Sequence, residues 1–204
     1  MGFQIFLAKQ KKLIDVIVLP SFLKSSISFL QFFELFNIEV MFVKHPRRSL
    51  AFAEVICFDK YTGRLSEAIK SGEQDEEINQ YFSFLQNCQF QSERSDERPE
   101  GGRKIFSTRR GNDSRVYEKV AEIEQEYESQ GYQIVYFGGM SVLEQMAAMK
   151  NATHLSGFHG ANLTNLLFAH QCEFVEELIT RELSGDFQTI AKFKKANHSR
   201  RKLI

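Results

Sequence analysis

The sequence predicts an α/β fold built on Rossmann-like parallel sheets. Short apolar runs rich in β-branched residues alternate with segments of helical periodicity, and this alternation is typical of parallel strands joined by crossover helices. A polar, charged segment that contains Gly and Pro, residues 89–103, divides the chain. We therefore expect a partial N-terminal α/β lobe over residues 1–88 and a C-terminal Rossmann-like lobe over residues 104–204.

The first lobe contains three extended runs and two helical segments. Residues 15–19, 39–43 and 50–58 are apolar and predict strands, because buried parallel strands are nearly continuous apolar runs. Ser21 is expected to cap a helix between the first two strands. Residues 71–87 have helical periodicity, and the acidic residues near their start favour a helix N-terminus.

The second lobe alternates strand and helix regularly. Strands are predicted at residues 104–108, 133–137, 153–158 and 174–178; helices are predicted from Ser114, from Ser141, and over residues 163–168. Glu144 completes a capping box with Ser141. Residues 179–204 end in a basic, weakly patterned stretch, KFKKANHSRRKLI, which we expect to be a solvated terminus.

Composition excludes several classes of function. The formal net charge is +0 and the aromatic residues lie inside apolar runs, so nucleic acid is not an expected partner. Three widely spaced cysteines without a CxxC pair predict no zinc site. The chain has no signal-peptide pattern, and no stretch approaches the roughly 20 apolar residues that span a bilayer. We expect a cytoplasmic protein without a transmembrane segment, and leave peripheral membrane attachment open.

Polar residues that suit a phosphorylated ligand follow three predicted strands. His159 and Gly160 precede a helix start, where backbone amides can bind a diphosphate. Arg109 and Arg115 lie in a polar turn, and guanidinium groups match phosphate oxygens. Glu177 ends a strand, where a carboxylate can accept hydrogen bonds from ribose hydroxyls. Because parallel strands end at one edge of a sheet, these groups together predict a pocket for a sugar nucleotide.

The turn GFHGANLTN, residues 157–165, is the strongest local signal. Asn162 is expected to cap the following helix, and Thr164 and Asn165 to add side-chain hydrogen bonds in its first turn. Each signal also has an alternative: an ordinary βα turn here, a solvated loop at the arginines, and a surface carboxylate at Glu177.

Residues 109–178 resemble the signature half of glycosyltransferase family 61. The family pattern has Ser-Arg-Arg after a strand, then a further Arg, a Gly-aromatic strand, a Ser-x-x-Glu-Gln helix, His-Gly-Ala-Gly/Asn-Leu-Thr-Asn and x-Glu-Leu. The matching positions are Thr108, Arg109, Arg110, Arg115, Gly131, Tyr132, Ser141, Glu144, Gln145, the run 159–165, Glu177 and Leu178. Thr108 replaces the usual Ser, Asn162 replaces a frequent Gly, and the family's C-terminal segment is not recognisable after Leu178.

The resemblance implies a two-lobed GT-B-type glycosyltransferase whose first, acceptor-side lobe is partial. It further implies an inverting transfer that needs neither metal nor another cofactor. The expected nucleotide-sugar-binding residues are Arg109, Arg115, His159, Gly160, Ala161, Asn162, Thr164, Asn165 and Glu177.

The predicted function is transfer of a sugar from a nucleoside-diphosphate sugar to a hydroxyl of a glycan or protein acceptor, as in polysaccharide or glycoprotein glycosylation. A general base must deprotonate that hydroxyl. It is not assigned, and His45, Glu54 and Asp59 are candidates in the first lobe. The alternative is a truncated, non-catalytic remnant of such an enzyme, because full-length members are longer. A eukaryotic fragment without its anchor would belong in the Golgi or ER lumen. A dinucleotide oxidoreductase is disfavoured, since no GxGxxG follows a strand.

Overall fold

A computed structural model describes residues 2–12, 14–20, 27–43, 65–72, 75–91, 102–109, 118–181 and 185–203. The helices are α1 (Gly2–Gln10), α2 (Ile27–Glu34), α3 (Leu65–Ser71), α4 (Asp75–Gln91), α5 (Val120–Ser129), α6 (Val142–Met149) and α7 (Asp186–Phe193). The strands are β1 (Val16–Pro20), β2 (Glu39–Val43), β3 (Arg103–Ser107), β4 (Gln133–Val135), β5 (Ala152–Phe158), β6 (Phe174–Ile179) and β7 (Asn197–Lys202). Two short 3₁₀ helices cover Phe137–Gly139 and Ala161–Phe168.

The chain divides into two compact units, Met1–Ser83 and Phe84–Ile204. In the first unit β1 and β2 pair in parallel, with Val16 opposite Glu39, so the strands predicted at residues 15–19 and 39–43 are confirmed. The expected cap Ser21 and the predicted strand 50–58, with the general-base candidates His45, Glu54 and Asp59, lie outside the described residues.

The helix predicted over residues 71–87 was wrong at its start. Ser71 ends α3, Gly72 follows with a φ of +68°, and α4 begins only at Asp75. A glycine in the left-handed region is a common way to end a helix, and this explains why one helical pattern is divided in two.

The second unit contains a five-stranded parallel sheet with the order β4-β3-β5-β6-β7. The parallel α/β fold expected from the sequence is therefore confirmed. Each connection between successive strands contains a helix, as parallel pairing requires. The strand order reverses between β3 and β5, and in open α/β sheets such a reversal opens a crevice at the carboxyl ends of the strands.

Helix α5 covers one face of this sheet. Phe106, Phe158 and Leu178 project from the sheet and pack against Ile123 and Tyr127 of α5. The rings of Phe106 and Tyr127 stack with their centroids 4.3 Å apart. Full burial of side chains of this size contributes roughly 1.5–3 kcal/mol each, so this cluster fixes α5 against the sheet.

The prediction of a solvated terminus over residues 179–204 was wrong. The segment forms α7 and then β7, which pairs in parallel with β6 from Phe174↔Asn197 to Ile179↔Lys202. The described residues of β7 include no apolar side chain, so its sequence lacks the usual strand signal. Backbone pairing and ion pairs hold it instead, and charged side chains are common on edge strands because they discourage further pairing.

The predicted capping box at the start of α6 is confirmed. The Ser141 hydroxyl accepts a hydrogen bond from the Glu144 amide at 3.2 Å, and the Glu144 carboxylate accepts one from the Ser141 amide at 2.7 Å. Two helix-start donors are thereby satisfied, and α6 begins at a defined residue.

Loss of this cap has a measurable cost. Replacing Ser141 by Ala should lower the free energy of unfolding by about 1 kcal/mol, because the Glu144 amide loses its acceptor. Urea denaturation followed by circular dichroism measures this. Ser141→Thr keeps a hydroxyl and should stay close to wild type; equal losses in both variants would contradict the capping role.

Candidate functional site

The candidate site lies at the carboxyl ends of β3 and β5, where the strand order reverses. Ser107, Gly157, Glu177 and Arg200 are aligned across four neighbouring strands. A Cβ at Gly157 would lie 2.7 Å from the carbonyl oxygen of Ser107, so β3 and β5 approach too closely there for any larger residue. The turns that follow the two strands are consequently held side by side.

The turn after β5 depends on Gly160. Its φ is +150° and its ψ is −169°, a combination that is essentially restricted to glycine. A Cβ at this position would also lie 2.8 Å from the Nη2 atom of Arg109. Gly160 is therefore required both by the backbone conformation and by the space that Arg109 occupies.

Arg109 connects the turn after β3 to the turn after β5. Its Nη2 group donates a hydrogen bond to the carbonyl oxygen of His159, and its guanidinium carbon lies 5.7 Å from the centre of the Phe158 ring. A guanidinium that donates to one carbonyl and lies over an aromatic face is held in a defined orientation. The positive charge is thus fixed at the sheet edge instead of moving freely in solvent.

A second link between the two turns passes through Asn162. Its side-chain amide donates to the carbonyl oxygen of Thr108 at 3.3 Å, and the Thr108 hydroxyl contacts the Glu124 carboxylate of α5. The expected capping role of Asn162 was wrong, because the helix is a 3₁₀ helix that begins earlier, at Ala161, with Gly160 at the cap position. The side-chain amide of Asn162 bonds across to the turn after β3.

Glu177 lies beneath His159 and has no exposed surface. One carboxylate oxygen, Oε1, contacts Nδ1 of the His159 ring. The other, Oε2, accepts a hydrogen bond from Nε of Arg200 at 2.7 Å and lies 3.4 Å from Nε2 of His198. The distance to His198 is long for a hydrogen bond, so Arg200 is the stronger partner of this oxygen.

These contacts keep Glu177 ionised despite its burial. Burial by itself raises the pKa of the Glu177 carboxyl, but the nearby His198 ring, the hydrogen bonds with His159 and Arg200, and the Arg200 charge outweigh it and lower the pKa to about 2. The carboxylate is therefore an acceptor at every physiological pH. When the Nδ1 proton of His159 is directed at it, Nε2 is the ring nitrogen left to meet a ligand.

The structure brings several of the predicted site residues together. Arg109, His159, Gly160, Asn162 and Glu177 form one connected group. Ala161 and Thr164 are exposed at the start of the 3₁₀ helix, whereas Asn165 is buried and donates to the carbonyl of Asn162 at 3.0 Å. Arg115 lies outside the described residues.

Glu177, which was expected to contact a ribose, is buried in the structure. A carboxylate without exposed surface presents no oxygen to a ligand, and both of its oxygens face His159, Arg200 and His198. Glu177 supports the site from below.

Two residues of β7 at this site were not predicted from the sequence. His198 and Arg200 are two positions apart, which places both on the same face of a strand. That spacing was the available signal, but it is informative only once the segment is known to be a strand. Phe187 of α7 was also missed; its ring packs edge-on against His159, with centroids 5.5 Å apart.

Fold and site together define an α/β protein with a Rossmann-like parallel sheet and cationic and hydrogen-bonding groups at its carboxyl edge. The family model described as Glycosyltransferase 61 matches residues 13–175, which is most of the chain. The chain belongs to glycosyltransferase family 61. This membership supports a glycosyltransferase in general.

No match was found among curated proteins. Among the described helices, none is both long and apolar enough to cross a membrane.

Substitution of Gly160 tests the geometry of the turn. Gly160→Ala should lower the free energy of unfolding by about 1–3 kcal/mol, because alanine is strained at this φ and ψ, and it should displace Arg109. Chemical denaturation measures the loss. Gly139→Ala is the matched control, since a Cβ there meets nothing within 4 Å. A Gly160→Ala protein as stable as Gly139→Ala would contradict the described turn.

The low pKa of Glu177 predicts a pH dependence of stability. The folded value, about 2, lies below the ordinary value of 4.5, so the stabilisation is complete above about pH 5 and is lost as the pH falls towards 2. The shift corresponds to at most about 3 kcal/mol. Urea denaturation between pH 7 and pH 2 should show a steeper loss in wild type than in Glu177→Gln, which cannot ionise.

The exposed residue Glu122 provides the control for this titration. Glu122→Gln should follow the wild-type pH profile. If Glu177→Gln also followed it, the ionised carboxylate would not be the source of the stability.

Proposed function

We propose that this chain binds a nucleoside-diphosphate sugar at the carboxyl edge of the β3–β7 sheet and transfers the sugar to a hydroxyl of an acceptor. The observation that carries the proposal is the link between Arg109 and His159 at the ends of β3 and β5. It holds a cation against the residue whose ring can hydrogen-bond a ligand, at the position where open parallel sheets bind nucleotides.

The charge of the donor explains why these groups suit it. A sugar diphosphate carries about two negative charges, and the nucleotide gains more as the glycosidic bond breaks. Preorganised cations and hydrogen-bond donors at that position stabilise the transition state more than the ground state. Arg109 supplies a fixed cation, and the amides at the start of the 3₁₀ helix Ala161–Phe168 supply donors beside it.

We further propose that the transfer is inverting and independent of a metal ion. Arg109, His159 and the helix-start amides offer charge compensation that a metal would otherwise supply, and Arg115 is expected to add a second cation. In a GT-B arrangement the acceptor and the general base belong to the first lobe, so His45, Glu54 and Asp59 stay candidates for the base. The acceptor would be a glycan or a protein.

His159 is proposed to donate from Nε2 to a phosphate oxygen or to the sugar. In the protonated ring both nitrogens carry a proton, so Nδ1 can bond Glu177 while Nε2 donates to the ligand. A role as general base is less suitable, because Nδ1 of the ring contacts Glu177 and Arg109 binds the His159 carbonyl on the proposed diphosphate side of the site.

Nucleotide sugars can be tested directly by thermal shift, with uridine, guanosine, cytidine and adenosine diphosphate sugars in turn. A donor at about 100 times its dissociation constant should stabilise the folded chain by about 2.7 kcal/mol. Arg109→Ala and His159→Ala should each reduce transfer by about 100- to 1,000-fold, the typical loss for one preorganised donor. Radiolabelled sugar transfer to a glycan or to water measures the rate.

Arg103→Ala is the matched control, because Arg103 is the first residue of β3 and lies at the amino ends of the strands, opposite the site. It removes the same charge without touching the site and should keep wild-type binding. If no nucleotide sugar stabilised wild type or Arg103→Ala, the donor site would be refuted. Stabilisation of wild type without any transfer would indicate a non-catalytic nucleotide-binding protein.

A further inference from the structure

We propose that Arg200 of β7 is a positioning residue of the donor site, which acts on the ligand through Glu177 and His159. Its functional meaning rests on the function proposed above, but its structural part stands on contacts within the chain. The two oxygens of Glu177 are divided between the partners: Oε1 faces Nδ1 of His159, and Oε2 accepts from Nε of Arg200 at 2.7 Å.

Holding both oxygens fixes the plane of the carboxylate. A carboxylate bonded at one oxygen can still rotate about its terminal torsion, which has a broad energy minimum. With Arg200 on Oε2, the position of Oε1 is fixed, and so is the direction in which the His159 ring must place Nδ1. The Nε2 atom of His159 then has one orientation towards the ligand instead of several.

Arg200 also balances the charge of the buried carboxylate. A buried carboxylate without a charged partner is costly, and it would demand a cation from His159. Because Arg200 supplies that charge, Glu177 can accept the Nδ1 proton whether His159 is neutral or protonated. His198 assists from the same face, with Nε2 3.4 Å from Oε2.

The register of β7 separates Arg200 from its neighbour Arg201. Arg200 is opposite Glu177 in the β6–β7 pairing and shares its face of the sheet. Arg201 points to the other face, where it makes hydrogen bonds of 2.6 and 2.8 Å to the Glu126 carboxylate of α5. Two adjacent arginines of one strand therefore have unrelated partners, which provides a control of identical chemistry.

The match to the family model ends at residue 175, so β7 lies beyond the matched region. The proposed role thus extends the site into a segment for which the match makes no assignment. The proposed role predicts that β7, although it carries no apolar side chain, is needed to orient His159.

The test compares Arg200→Gln, Arg200→Lys and Arg201→Gln in the full chain. Nitrogen-15 spectra of the histidine rings, recorded without ligand, report which ring nitrogens carry a proton. The His159 signal is assigned by its loss in His159→Ala. Wild type and Arg201→Gln should show His159 protonated at Nδ1, whereas Arg200→Gln should show a different protonation pattern of the two ring nitrogens, because Oε2 of Glu177 has lost its charged partner.

Calorimetric titration with uridine diphosphate, or with whichever nucleoside diphosphate wild type binds best, provides the functional readout. Arg200→Gln should weaken binding by about 10- to 100-fold, the loss that is typical when the outer partner of a metal-binding histidine is removed. Arg200→Lys should restore part of this loss, because the ammonium keeps the charge but makes a single contact. Arg201→Gln should bind as wild type does.

A His159 ring signature that is the same in Arg200→Gln and wild type, in folded proteins, would overturn the proposal. An equal disturbance in Arg201→Gln would do the same, because it would show a general effect of damaging β7. A wild-type chain that binds no nucleoside diphosphate contradicts the proposed function, and the ring signature, which needs no ligand, still decides whether Arg200 positions His159.

Discussion

The negative charge of a buried carboxylate needs a charged or hydrogen-bonding partner, and several segments of the second unit supply such partners to Glu177. Its partners come from two separate segments, His159 from the turn after β5 and Arg200 with His198 from β7. Removing one partner of a buried ion pair typically costs about 3–5 kcal/mol, because the remaining charge stays unpaired. Electrostatics therefore ties the edge strand to the centre of the sheet and constrains the turn above it.

Close packing of two strands adds a steric constraint to this electrostatic one. Gly157 lets β5 approach the Ser107 carbonyl, and the turns that follow are linked by Arg109 and by the contact of Asn162 with Thr108. Neither link belongs to a helix or strand ladder. Together they connect segments about fifty residues apart in sequence, so a local motif acquires its geometry from the tertiary fold. Preorganisation of this kind is what binding to a charged transition state requires.

The sequence predicted those parts of the molecule whose signal is local. Strands such as β3 and β5 carry apolar residues that identify them, and Ser141 with Glu144 specifies a cap by spacing alone. Strand β7 was missed because its stability comes from partners distant in sequence, Glu177 and Glu126. The same distinction applies within the site. The His-Gly-Ala turn was recognisable, whereas the capping role given to Asn162 failed because the 3₁₀ helix begins one residue earlier, at Ala161, with Gly160 at the cap position.

The charges around His159 bear on what the turn can bind. Glu177 and Arg200 neutralise each other, so the pair adds no net charge to the site. Arg109 places a guanidinium beside the His159 carbonyl, and a protonated His159 would add a second positive group to the turn. A diphosphate group carries about two negative charges, and its binding would favour the protonated ring. In that state Nε2 would donate and could not accept a proton, which is the reason why a donor role is proposed for His159 and the general base is sought at another residue.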